Sequence, residues 1–155
     1  MGSLEIPRKF YMVKGKGDAE YKLNAFDKAL LNAGVGNTNL VRLSSILPPH
    51  SQEVDPVMLE PGQLLTLAYS SYTSNVKGEL IAAAVSVAIP QDPNLNGLIM
   101  EHAGPGTSEE MQRIVIRKAE LGMEYRGFKV KEIKSISSEH ETVDIGAVFA
   151  AVVLV

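Results

Sequence analysis

Cysteine and tryptophan are both absent from this 155-residue chain. The first absence removes disulfides, thiolate nucleophiles and zinc–cysteine sites together. The second, with only four phenylalanines and five tyrosines, means that a core must be built mainly from Ala, Val, Ile and Leu. A strong excess of charge of either sign is also missing. The net charge is −3 with no dense basic run, so nothing points to nucleic acid. No apolar run reaches the ~18 residues that a membrane-spanning helix needs, and Met1-Gly-Ser-Leu-Glu-Ile-Pro7 lacks the marks of a secretory leader. The expectation is a cytoplasmic protein with no membrane partner. His50, His102 and His140 show no i, i+4 metal-pair spacing, and without cysteine to support them no metal is expected.

What is present is a single domain's worth of chain, 1–155, in which helix-like and strand-like patterns alternate without repeats. A domain of this length buries roughly 68–70% of its unfolded surface. Lys14-Gly-Lys-Gly17 is too short for a phosphate loop and reads as a turn. Asn24 is a candidate N-cap for a helix over 25–33, with Phe26, Ala29, Leu30 and Ala33 on one face and Gly34 as its stop. Asp27 would then lie in the first turn. Residues 40–47 read as a buried strand ended by Pro48-Pro49, because proline cannot donate to a ladder. Further strands are predicted over 63–72, 79–89, 97–102, 130–138 and 147–154, with Lys77-Gly78 turning between the first two. Thr107-Ser-Glu-Glu110 is a capping box, opening a helix that carries Met111, Ile114, Val115, Ala119 and Met123 and stops near Gly127. Strands apolar on both sides need cover on both faces, so the fold class is α/β (α+β).

The candidate chemistry lies in Asn39-Leu-Val-Arg-Leu-Ser-Ser-Ile-Leu-Pro-Pro49. Adjacent serines are ordinarily turn residues whose hydroxyls bond nearby backbone. At Ser44-Ser45 a second reading is open. If the Ser45 hydroxyl attacks the Ser44 carbonyl, the amide becomes an ester, which can eliminate and hydrolyse to leave a ketone on residue 45. Such a ketone can condense with a substrate amine and act as an electron sink, as pyridoxal phosphate does in other enzymes.

The string from Leu23 to Pro49 closely resembles the pyruvoyl-dependent arginine decarboxylases of archaea and some bacteria. A second block, Glu79-Leu-Ile-Ala-Ala-Ala-Val-Ser-Val-Ala-Ile-Pro90 with Gly97-Leu-Ile-Met-Glu101, is similar to that family in the same order. The resemblance spans Lys22 to the C-terminus. It implies a four-layer αββα sandwich, and self-cleavage between Ser44 and Ser45 into chains 1–44 and 45–155. It implies a covalent pyruvoyl group derived from Ser45, with no metal and no pyridoxal phosphate, and conversion of arginine to agmatine within a homotrimer whose sites lie between subunits.

The resemblance also assigns roles. Asn39, six residues before Ser45, assists processing, plausible as a donor to the attacked carbonyl; its ordinary reading is a turn asparagine. Glu101 is the proton donor, for which partial desolvation at a strand end would suit its acid form; otherwise it is a solvent-facing strand-end glutamate. Asp27 faces the substrate guanidinium, because a carboxylate accepts two parallel bonds from it; alone it is a first-turn aspartate favoured by the helix dipole. Gly36 would let backbone approach the ligand, though the glycines here equally explain a helix stop and turn. His102, one residue after Glu101, should point to the opposite face of its strand. The alternatives are the same chemistry on another amino acid, or an unprocessed, non-catalytic oligomeric relative.

Overall fold

A computed structural model describes residues 5–155; the first four residues of the leader reading over 1–7 lie outside it. The elements are β1 (Lys9–Ala19), α1 (Lys22–Asn32), β2 (Asn39–Arg42), β3 (Ile46–Leu47), β4 (Gln52–Glu53), β5 (Leu64–Ser74), β6 (Leu80–Pro90), β7 (Gly97–Pro105), α2 (Ser108–Arg126), β8 (Val130–Glu141) and β9 (Ile145–Leu154). One sheet has the order β2-β5-β9-β1-β4 and the other β3-β7-β6-β8.

The two sheets pack face to face over Phe10, Ala68, Val85, Val87, Ile99, Val148, Ala150 and Val152. Helix α1 covers the outer face of the first sheet, with Ala25 and Ala29 against Leu67, Phe149 and Ala151. Helix α2 covers the outer face of the second, setting Met111 and Val115 on Ala82 and Ala84, and Ala119 and Met123 on Ala88 and Leu98. This is the four-layer αββα sandwich. The alanine-rich β6 and β9 are buried on both faces, as their unbroken apolar runs require. Among the described residues, no helix is long and apolar enough to cross a membrane.

Several local expectations are corrected. Lys14–Gly17 is the middle of β1 rather than a turn. A Cβ on Gly15 would lie 2.0 Å from the Ala29 carbonyl oxygen, and one on Gly17 would lie 2.6 Å from Lys28 Cβ. The glycines are where α1 seats on the strand. That helix begins at Lys22 after Tyr21 rather than after Asn24, so Asp27 sits beyond the first turn. In α2, Thr107 does accept from the Glu110 N–H, and Gly127 closes the helix at φ 68°, but Ile114 is exposed.

The most consequential correction concerns residues 40–47. They form two strands rather than one, and β2 is largely exposed. Asn39–Arg42 runs parallel to β5 in the first sheet, while Ile46–Leu47 runs antiparallel to β7 in the second. The chain changes sheets over Leu43, Ser44 and Ser45.

Candidate active site

The crossing is pinned at each end. The Leu43 N–H donates to the Leu67 carbonyl on β5 at 2.8 Å, and the Ser45 carbonyl accepts from the Ile99 N–H on β7 at 2.7 Å. Between these anchors the Ser44–Ser45 peptide belongs to neither ladder. Ser44 is exposed and Ser45 half-buried. A carbonyl at such a place can be reached by the neighbouring hydroxyl, and residue 45 by the water that hydrolyses it after elimination, which the self-cleavage chemistry requires. Residue 45 also has its own carbonyl fixed by a backbone donor, so the residues present fit a ketone generated there.

Glu101 lies two residues beyond Ile99 on β7 and therefore on the same face, turned toward the first sheet. Its carboxylate accepts from Arg42 Nη2 at 2.5 Å. The same nitrogen donates to the Tyr69 carbonyl at 2.9 Å, and the guanidinium lies 4.3 Å from the centroid of the Tyr69 ring. Glu101 is 35% exposed and Arg42 53%. In place of the partly desolvated strand end expected for it, Glu101 lies in the middle of β7, in an ion pair at an open edge of the sandwich.

His102 points the other way, as alternation demands. Lys118 on α2 contacts His102 Nδ1 and donates to the Glu101 backbone carbonyl, both at 3.0 Å. Burial, then the Lys118 charge, pushes the His102 imidazole below its ordinary range. The ring is therefore neutral at pH 7 and Nδ1 can accept. Lys118 satisfies a β7 carbonyl beyond the start of β3, where the chain is still arriving from the other sheet.

Beside this edge is a cleft of about 650 Å³ bordered by Leu23, Phe26, Tyr69 and Tyr72, a size that suits a small-molecule ligand. Its floor is stiff, because Phe149 packs against Tyr69 at 5.3 Å and Phe26 at 6.2 Å between ring centroids. Asp27 follows Phe26 on α1, is exposed, and makes no ion pair among the described residues.

The remaining candidates lie elsewhere on the chain. Asn39 begins β2, three residues or about 10 Å from Arg42, and its Nδ2 donates to the Gly62 carbonyl at 3.2 Å. Within one chain it does not bond Ser44. Gly36 is accounted for by packing, since a Cβ there would lie 2.6 Å from Leu31 Cδ2. Arg42 and Tyr69 were not anticipated. A signal for Arg42 was present: an arginine inside Leu40-Val-Arg-Leu43 needs a partner if that run packs in a sheet.

The profile of the family described as pyruvoyl-dependent arginine decarboxylase matches residues 9–155. The pyruvoyl-dependent arginine decarboxylase of Methanocaldococcus jannaschii is 45% identical over 150 residues, covering 97% of this chain and 91% of that protein. That of Methanococcus aeolicus is 46% identical over 150 residues, with coverage of 97% and 91%. That of Pyrococcus abyssi is 41% identical over 154 residues, with coverage of 98% and 97%.

Proposed function

Because the chain belongs to the pyruvoyl-dependent arginine decarboxylase family, we propose that it decarboxylates L-arginine to agmatine and carbon dioxide at a pyruvoyl group made from its own Ser45. The observation that carries this reading is the Ser44–Ser45 peptide on the crossing between sheets, with Ser45 tied to Ile99 and Glu101 two residues further along the same face. A pyruvoyl group supplies a ketone that takes up an α-amine and, with the carbonyl next to it, the electron pair left when carbon dioxide departs.

The chain's own residues do the rest. The Ile99 N–H holds the residue-45 carbonyl and draws charge toward it. Ser44 supplies the attacked carbonyl and becomes the C-terminus of the short chain, 1–44. Glu101 returns a proton to the substrate α-carbon. Asp27 binds the guanidinium; its exposed carboxylate, one residue after the cleft-lining Phe26 and without an ion-pair partner among the described residues, supports that role.

Trimeric assembly, with each site between neighbouring subunits, is part of the proposal. Leu23, 76% exposed beside the cleft, and Ile46, 42% exposed beside the cut, are apolar groups that a second copy could cover. Asn39 and Gly36 would then act across the boundary. The reaction is placed in the cytoplasm.

Intact mass under denaturing conditions tests the cofactor. Two fragments dividing between residues 44 and 45, with a blocked N-terminus on the larger, are expected for the native sequence and one uncut species for Ser45→Ala. A native chain that stays whole would make it the non-catalytic relative. Carboxyl-labelled arginine should yield labelled carbon dioxide from the processed sample; none would move the substrate to another amino acid. Sedimentation and cell fractionation test the trimer and the compartment.

A further inference from the structure

We infer that Arg42 positions Glu101 and exchanges partners when the chain is cut, passing from the Glu101 carboxylate to the α-carboxylate that cleavage leaves on Ser44. This rests on the self-cleavage proposed above.

The charge balance of that cleavage is unusual. Ordinary hydrolysis of a peptide bond leaves one carboxylate and one amine. Here one water is consumed, the Ser44 carbonyl carbon becomes a carboxylate, the Ser45 nitrogen leaves as ammonia, and residue 45 becomes an uncharged ketone. The site gains one negative charge, and the chain gains no positive charge to match it.

Arg42 is the cation placed to receive that charge. Ser44 is two residues beyond it, and two residues of extended chain span about 7 Å, comparable with the reach of an arginine side chain. The hydrogen bond from Leu43 to Leu67 keeps the backbone seated up to the residue before the cut, so only the side chain has to pivot. Both hydrogen bonds Arg42 makes use Nη2, and a guanidinium carries five N–H donors. Lys118, the other cation beside Glu101, is already engaged by a β7 carbonyl and the His102 ring.

The exchange matters for Glu101. While it is bound to Arg42, its carboxyl group is held by Nη2 and is not turned to a substrate. While the chain is whole, the pair therefore keeps the donor out of use, and the cut that creates the ketone also frees Glu101.

Two crystal structures test this, one of the cleaved native chain and one of uncut Ser45→Ala. The Arg42–Glu101 contact is expected in the uncut chain. In the cleaved chain Arg42 should bond the Ser44 carboxylate, with Glu101 beyond hydrogen-bond distance. As a second readout, Arg42→Gln should lower the melting temperature of the cleaved chain by about 2–4 °C more than that of the Ser45→Ala chain, and Arg42→Lys should recover part of the difference. A cleaved structure that keeps the Arg42–Glu101 contact, or equal losses in the two backgrounds, overturns the exchange. If Arg42→Gln blocks cleavage, the cleaved native structure decides alone. A native chain that never divides is a different result, read from its mass, and removes the premise.

Discussion

Arg42 and Glu101 are 59 residues apart in the chain and belong to different sheets, yet they form the polar centre of the site. If Glu101 is the donor as proposed, Glu101→Gln should lower arginine turnover by about 10²–10⁴-fold while the intact mass still shows two fragments. For Asp27→Asn the expected change is in binding. Losing one charge-assisted contact costs about 1.5–3 kcal/mol, which would raise the KM for arginine by roughly 10- to 150-fold and leave processing unchanged. Ser45 and Glu101 could be nominated from sequence because the motifs around them match a known family, and their roles stand as proposed. Arg42 could not be, since its partner stands on a strand whose position across the sandwich no local pattern encodes.

Strands and helices were legible to the degree that their signals are local. Helix α2 carries its own start and stop in Thr107 and Gly127, and both were read correctly. Strand β1 was missed because Lys14-Gly-Lys-Gly17 looks like a turn until α1 is laid across it. The glycines answer to a helix that comes later in the chain. Gly15→Val should therefore destabilise the fold by about 1–3 kcal/mol or more, read as a lower urea midpoint, because its Cβ would meet the Ala29 carbonyl oxygen, which helix geometry holds in place. The break between β2 and β3 escaped notice for a related reason. Leu40–Leu47 is apolar enough for one strand, and only pairing with β5 on one side and β7 on the other divides it.

Across the whole molecule, Asp18 ties the end of β1 to the β8–β9 turn, accepting from the Val143 and Asp144 N–H groups at 2.9 Å and contacting the His140 ring at 2.8 Å. Burial alone would raise its pKa, but the Val143, His140 and Asp144 contacts together outweigh burial and hold the carboxyl below its ordinary 3.8. A carboxyl that titrates lower in the folded chain stabilises it above the unfolded value, and that contribution fades as pH falls below about 3.8 toward the folded one. Asp18→Asn should thus lower the urea midpoint at pH 7 by more than at pH 3. The order β2-β5-β9-β1-β4 has a consequence for the two proposed pieces. The short one would own β1, α1 and β2; the long one would own everything else. Yet β1 lies between β9 and β4, and β2 rests on β5, so the pieces are interlaced like the fingers of two hands. The short one has no two strands that pair with each other, and the long one, though it holds the whole second sheet, is left with a gap between β9 and β4 in the first. The pyruvoyl form is then reachable only by a chain that folds whole and severs itself afterwards, and the severed halves stay clasped by ten paired residues along β1 and β9.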